Sequence, residues 1–257
     1  MKNSSLEQVL ASYSPISLAE MDEVKLLNRV ETKFVFKRND FTDLLSNLAP
    51  YYKVVKIDNQ LIHNYESLYF DDPNLFLYNE HHRGRPNRFK VRYRRYVDSN
   101  LMFFEIKHKR KGRTAKRRVK VTGINDQLGM LEKQLLNESE IPNLDLHPVT
   151  ANSYKRITLV NKTSIERLTF DIDLAFKQNG KEEKLGDIVI AELKQERITR
   201  TSPFFKLARK MQLRPLRVSK YCTGLIQMAA PHALKYNRFK KKLIHINKLS
   251  DYGIHMV

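Results

Sequence analysis

The sequence predicts an α+β domain in which eight antiparallel strands close into a barrel, with helices outside and a charged interior. Three observations carry this reading. Short segments with period-two alternation recur eight times along the 257 residues. Almost every one has an apolar face opposite a face of Arg and Lys with a few carboxylates. The chain is also strongly basic: 47 Lys and Arg stand against 28 Asp and Glu, a net charge of +19, which suits an anionic partner.

The strands are taken in chain order. Residues 29–36 (RVETKFVF) place Arg29, Glu31 and Lys33 on one face and Val30, Thr32, Phe34 and Phe36 on the other. Residues 65–70 (YESLYF) lead into the turn DDPN. Residues 88–96 (RFKVRYRRY) alternate Arg88, Lys90, Arg92 and Arg94 with Phe89, Val91 and Tyr93, and VDSN follows as a tight turn. Residues 101–109 set Glu105, Lys107 and Lys109 opposite Phe104 and Ile106, and residues 116–121 align Lys116, Arg118 and Lys120. Residues 154–160 and 167–173 flank the turn NKTS. They align Tyr154, Arg156 and Thr158, then Arg167, Thr169, Asp171 and Asp173. Residues 188–194 end with Glu192 and Lys194 on one face.

Helices are predicted from Asn39 or Asp40 through Leu48, over 125–136, and over 204–211. A last helix starts after Ser219 and, bent at Pro231, runs into the basic stretch NRFKKKL at 237–243. The chain reads as a single domain over 1–257, with residues 1–15 as an N-terminal extension and 237–257 as a basic C-terminal tail. That tail reads either as a guide at a barrel mouth or as a solvated or partner-facing helix face.

Cys222 is the lone cysteine, so neither an intrachain disulfide nor a Cys-based metal site is available, and a reducing, cytoplasmic location is expected. The N-terminus has no long apolar core and no apolar run approaches the ~20 residues of a membrane helix. The protein is expected to be soluble, with docking on the inner face of a membrane left open.

Charge decides what the barrel would hold. Two like charges ~6 Å apart cost roughly 3 kcal/mol at an effective dielectric near 20. A dozen cations in one lumen therefore require water or an anion among them. A compact phosphate chain meets that requirement better than a nucleic-acid duplex, which needs an outward patch. His63, His81, His82 and His108 form no metal-spaced cluster.

The ordered motifs NRVETKFVF (28–36), YESLYFDD (65–72), YNEHHRGRPNRFKVRYRRYVDS (78–99), FFEIKHKRKGRTAKRR (103–118), YKRITLVNKTSIERLTFD (154–171), IVIAELKQE (188–196) and VSKYCTG (218–224) resemble the bacterial form of the vacuolar transporter chaperone (VTC) domain. That family belongs to the triphosphate tunnel metalloenzymes, the CYTH-like superfamily. The resemblance implies an eight-stranded antiparallel β-tunnel with flanking helices. It also implies transfer of the γ-phosphate of ATP onto inorganic polyphosphate with release of ADP, using Mn²⁺ or Mg²⁺. Hydrolysis of triphosphates and non-catalytic binding of polyphosphate or inositol phosphates are the other activities it allows. The superfamily's first-strand Glu-x-Glu-x-Lys run stands here as Arg29-Val-Glu31-Thr-Lys33, as is usual in the VTC branch.

Carried over position by position, the resemblance implies Lys33, Arg92, Arg94 and Lys220 as catalytic. It implies Arg29, Lys90, Lys107, Lys116, Arg118, Tyr154, Arg156, Arg167 and Ser219 as contacts to phosphate or ATP. Guanidiniums would grip phosphate oxygens in pairs and lysines would act as point charges. Glu192 is the first candidate metal ligand, since oxygen ligands suit Mg²⁺ or Mn²⁺. Glu105 and Glu31 either assist it or pair with neighbouring cations, and Asp171 and Asp173 rank below them. Ser219 and Lys220 read as an anion-binding helix start or as a plain capping region. Parity or turn position argues against Arg95, Arg113 and Arg117. ATP and polyphosphate are the expected partners; a membrane protein for export is compatible, and no oligomeric state is specified.

Overall fold

A computed structural model describes residues 5–23, 30–110, 113–125, 127–230 and 233–250. Its strands are β1 (Pro15–Ile16), β2 (Val30–Lys37), β3 (Tyr52–Val55), β4 (His63–Asp71), β5 (Arg88–Tyr96), β6 (Leu101–Arg110), β7 (Arg113–Val121), β8 (His147–Asn161), β9 (Glu166–Gln178), β10 (Lys181–Lys184) and β11 (Ile188–Gln195). Its helices are α1 (Leu6–Ala11), α2 (Leu18–Glu23), α3 (Phe41–Leu48), α4 (Phe76–Arg83), α5 (Met130–Asn137), α6 (Pro203–Lys210), α7 (Lys220–Met228) and α8 (Lys240–Leu249).

The eight expected strands are all present and form one antiparallel path, β2-β11-β9-β8-β4-β5-β6-β7, with β1, β3 and β10 added at its margins. Among the described residues no pairing joins β2 to β7, so the sheet curls into a half-barrel. The fold is the predicted α+β tunnel architecture, with β2 and β7 as the two edges of the curled sheet. Leu216 N–H donates to the Lys33 carbonyl at 2.7 Å, which lays the chain after α6 along the free edge of β2.

Alternation explains the packing. The convex face of β2, β8, β9 and β11 puts Phe34, Phe36, Ile157, Leu159, Leu168, Phe170 and Leu193 against α3 and α6. The convex face of β4–β7 puts Phe70, Val91, Tyr93, Phe104 and Ile106 into a second cluster with the 128–146 segment. The concave face is divided. At one end Val35, Tyr69, Tyr154, Phe176 and Ile190 pack against Tyr221, Leu225 and Ile226 of α7 and Leu243 and Ile246 of α8. Towards the other end, concave Val160 meets Ile16, Val55 and Met21 of α2. Charge occupies the span between these two apolar plugs.

Several element boundaries differ from the expectation. The last helix is two helices: α7 stops at Met228, and α8 restarts at Lys240; Pro231 lies outside the described residues. The tail stretch from 240 thus carries Lys240 and Lys241 outward and Lys242 half-buried over Phe239, while Leu243 and Ile246 are buried. Residues 1–15 include α1, whose Ser5 and Gln8 form a capping box and whose Val9 and Leu10 join the core. The predicted helix over 125–136 begins only at Met130. β8 runs back to His147 although Pro148 argues against a strand; a register shift at Tyr69/Phe70 accommodates it. The helix α4, unforeseen, ends at Gly84, whose φ of 74° supplies the left-handed cap.

α7 is fixed against the sheet by close approach. A Cβ built on Gly224 would lie 2.6 Å from a Phe176 ring carbon. Gly224→Ala is therefore expected to destabilise the fold by about 1–3 kcal/mol, the usual range for overpacking. Urea denaturation of both proteins checks this.

Candidate functional site

Strand parity delivers the cations to one lumen. Val91 and Tyr93 lie in the convex cluster, so Arg92 and Arg94 of β5 point to the concave side. The register then sets neighbours: Arg92 opposite Glu105, Lys107 between Lys90 and Lys116, Lys33 opposite Glu192, and Arg156 opposite Asp171.

Three carboxylates organise these cations. Glu105, 0% exposed, accepts Arg92 Nε at 2.9 Å and Nη2 at 2.6 Å on one oxygen, and Lys116 Nζ at 3.1 Å on the other. Asp171 accepts Arg156 Nε at 2.6 Å and Nη2 at 2.8 Å, and also the Lys220 ammonium. Glu192 lies 3.1 Å from Lys33 Nζ and 2.9 Å from Lys194 Nζ. Burial would raise all three carboxyls, but the surrounding cations hold each well below the usual carboxylate range.

Aromatic rings support several of these cations, whether or not a carboxylate also pairs with them. Arg94 reaches the Ser67 hydroxyl at 3.1 Å and stands over Tyr65 and Tyr154, 5.5 and 5.7 Å from their centroids. Arg156 and Lys220 share the Tyr154 ring at 5.2 and 4.5 Å. Lys90 Nζ donates to Ser219 Oγ at 2.8 Å, and Ser219 also caps α7 by accepting Cys222 N–H. Lys107 makes no hydrogen bond or ion pair among the described residues, and Arg92, burial and Arg94, in that order, push its pKa well below 10.5. Tyr154 Oη and Thr169 Oγ1 are buried without a hydrogen-bond partner.

Crowded cations and burial perturb the lysines and a tyrosine of this lumen. Burial lowers Lys90 and Lys194 to about 8. Tyr69 is held at about 8, because Arg92, Arg94 and Lys90 together outweigh the burial that would raise it. Arg92 donates to the Tyr69 oxygen at 3.3 Å.

Lys33, Lys90, Arg92, Arg94, Lys107, Lys116, Tyr154, Arg156, Glu192, Ser219, Lys220 and Glu105 are therefore gathered around one lumen. Arg118 sits over Phe103 at 4.5 Å on the exposed strand β7. Arg167 lies towards the far plug, where a guanidinium nitrogen is 3.9 Å from Met21 Sδ. Glu31 pairs in register with Lys194, and Arg29 lies outside the described residues.

The three candidate metal carboxylates do not converge: among the described residues no group of three or more His, Cys, Asp or Glu could hold a metal ion. Both oxygens of Glu105 are already engaged, which leaves it in the ion-pair reading. Each oxygen of Glu192 likewise faces an ammonium, Lys33 or Lys194, so a divalent ion held there would displace these lysines and take phosphate oxygens and water for the rest of its shell, as is usual for Mg²⁺.

Asp173 corrects the parity reading. Its φ of 54° turns it out of register, and it forms exposed ion pairs with Arg38 and Lys155. Arg95 pairs with Glu66, and Arg117 donates to the Glu138 carbonyl, both on the outside as expected. Sequence reasoning passed over Tyr65, Ser67 and Tyr69. Their parity on a strand flanking β5 was the available signal, but uncharged residues gave no reason to use it.

The fold is similar to several solved structures. A candidate adenylate cyclase from Bacillus halodurans shares 14% identity over 75% of this chain and 94% of its own, with a TM-score of 0.45. A candidate adenylate cyclase from Vibrio parahaemolyticus shares 12% over 75% and 95%, with a TM-score of 0.46. A candidate adenylyl cyclase from Hippeastrum, with a dominant triphosphatase activity, shares 12% over 80% and 100%, with a TM-score of 0.45. No curated protein matches the chain. A model of the VTC domain matches residues 28–229, the span from β2 through α7 that builds the lumen, and the chain belongs to the VTC-domain family.

Proposed function

We propose that the protein is a polyphosphate polymerase that moves the γ-phosphate of ATP onto the end of an inorganic polyphosphate chain. The observation that carries this is the lumen itself, where Arg94 and Lys107 face inward in no direct ion pair among the described residues while Glu105 and Glu192 lie near enough to offset only part of the charge. Family membership supports the same reading. A terminal oxygen of the chain attacks the γ-phosphorus, the bond to the β–γ bridging oxygen breaks, and ADP leaves with that electron pair. Such transfer needs positioning and charge stabilisation more than covalent chemistry.

Arg92 and Arg94 would grip equatorial oxygens, Lys33 and Lys107 would balance the bridging region, and Lys220 at the start of α7 would hold the acceptor end. Lys90, Lys116, Arg156 and Ser219 would line the chain's path. A divalent ion on Glu192 would supply charge neutralisation on the phosphate oxygens. Among the described residues no helix is long and apolar enough to cross a membrane.

The test is incubation of pure protein with ATP and Mn²⁺, followed by a gel resolving polyphosphate chains. Chain growth with stoichiometric ADP supports the proposal. Free phosphate without chains would replace it with hydrolysis, and tight polyphosphate binding without turnover would replace it with a binding role.

Glu192→Gln is expected to lose most ATP-dependent synthesis while polyphosphate binding stays equal or tightens, since Lys33 and Lys194 lose their counter-charge. ADP release and polyphosphate titration on one preparation check both halves.

The pH dependence has two opposite signs. Lys90 and Lys194 titrate near 8 in the folded chain against an ordinary 10.5. Between these values the unfolded chain holds more protons, so ligand-free stability is expected to rise with pH there. Polyphosphate affinity is expected to fall over the same interval, as the two ammoniums discharge. Titration calorimetry at pH 7 and 9, with proton uptake measured near 8.5, checks the second sign.

A further inference from the structure

An open cleft of about 460 Å³ lies against the free edge of β2, outside the cation ring. That volume is within the ordinary range for small-molecule sites. Its apolar floor includes Phe34, Phe205, Leu213 and Leu216. Arg200, Arg209 and Arg217 stand on its walls. Such a lining suits a flat, weakly polar ring better than a phosphate chain, which would gain nothing from the floor.

The cleft shares a wall with the lumen. Lys33 and Glu31 line it, and Lys33 Nζ also reaches Glu192, 3.1 Å away inside the lumen. The chain that closes it is pinned to β2 by the Leu216–Lys33 hydrogen bond and continues into Ser219 and Lys220 at the head of α7. A ligand with one polyanionic end and one aromatic end could therefore occupy both compartments across Lys33.

Resting on the polymerase reading, we propose that this cleft is the nucleoside subsite of the donor nucleotide. The base lies on the Phe205–Leu213–Leu216 floor, with an arginine plane over its face. The Glu31 carboxylate accepts ribose hydroxyls, as acidic residues do in other nucleotide sites. The lumen then grips the phosphates of donor and acceptor alike, and the cleft tells them apart, because the inorganic chain carries no ring to fill it.

The test compares two probes, ATP and inorganic triphosphate, on wild type, Leu213→Trp and Ile198→Trp. Leu213→Trp fills the floor. Ile198 is 57% exposed at the rim, so its replacement keeps the question answerable if the first variant unfolds. The expected result is a tenfold or greater loss of ATP affinity with triphosphate affinity unchanged. Irradiated 8-azido-ATP should label peptides within residues 198–217, with protection by ATP. Equal weakening of both probes, no weakening of either, or labelling elsewhere overturns the proposal. If the variants show this pattern of binding but wild type makes no chains, the polymerase reading fails and the nucleoside subsite stands.

Discussion

Glu105→Gln is expected to lower the stability of the ligand-free protein by about 3–5 kcal/mol, the usual result of removing one partner from a buried ion pair. Glu105 is fully buried, and its two oxygens serve Arg92 and Lys116. Glutamine keeps the shape and loses the charge, so Arg92 is left buried beside Arg94 and Lys107 with no counter-charge of its own. A polyanion in the lumen replaces what was lost. Polyphosphate should therefore raise the Tm of the variant more than that of wild type. Thermal melts of both proteins with and without polyphosphate give the result. A variant as stable as wild type without ligand would remove Glu105 from its counter-ion role.

Arg94→Ala is expected to lower ATP-dependent chain growth by at least about 100-fold, the loss typical of removing one donor to a developing charge, with little change in stability. The two arginines of β5 differ here. Arg92 neutralises a buried carboxylate, so its removal also strands Glu105. Among the described residues Arg94 donates only to Ser67, and it rests on Tyr65 and Tyr154. Truncating it takes one cation out of a mutually repelling group and leaves no carboxylate unpaired. ADP release and a urea melt on the same preparation separate the two roles. A steep fall in stability with turnover intact would make Arg94 structural.

What was legible in the sequence was parity. Alternation in residues 88–96 and 101–109 fixed which side chains share a face, and the structure places Arg92, Arg94, Glu105 and Lys107 on that face. Parity fails where the backbone leaves the pleat. Asp173 adopts φ 54° and turns outward; aspartate tolerates that region better than most residues, but inside an alternating strand this preference is too weak to mark the break. The run of chain past Leu216 along the free edge of β2 was not legible either, since it follows no strand pattern. The break between α7 and α8 escaped because apolar residues on both sides are buried in one cluster, and so mimic a continuous helix. Of the metal set, Glu105 and Glu192 both face the lumen with each oxygen beside a cation. Register can tell which carboxylates face inward, but not which are already consumed by cations.

The strand order carries a consequence for how the site comes into being. β4 through β7 are neighbours both in sequence and in space, a meander whose contacts are local. The partner of β2 is β11, with Lys37 opposite Ile188, so the first wall of the lumen waits for nearly the last strand to be synthesised. Long-range pairing of this kind is slow, because the loop entropy is lost before the contact forms. Lys33 thus cannot meet Glu192 until β11 has been synthesised. Until then the nascent chain presents cations without that counter-charge, along with an unpaired strand edge. An anion present during synthesis would meet a half-built cradle able to bind it, and folding yield should depend on the ionic composition of the medium more steeply than the stability of the finished protein does.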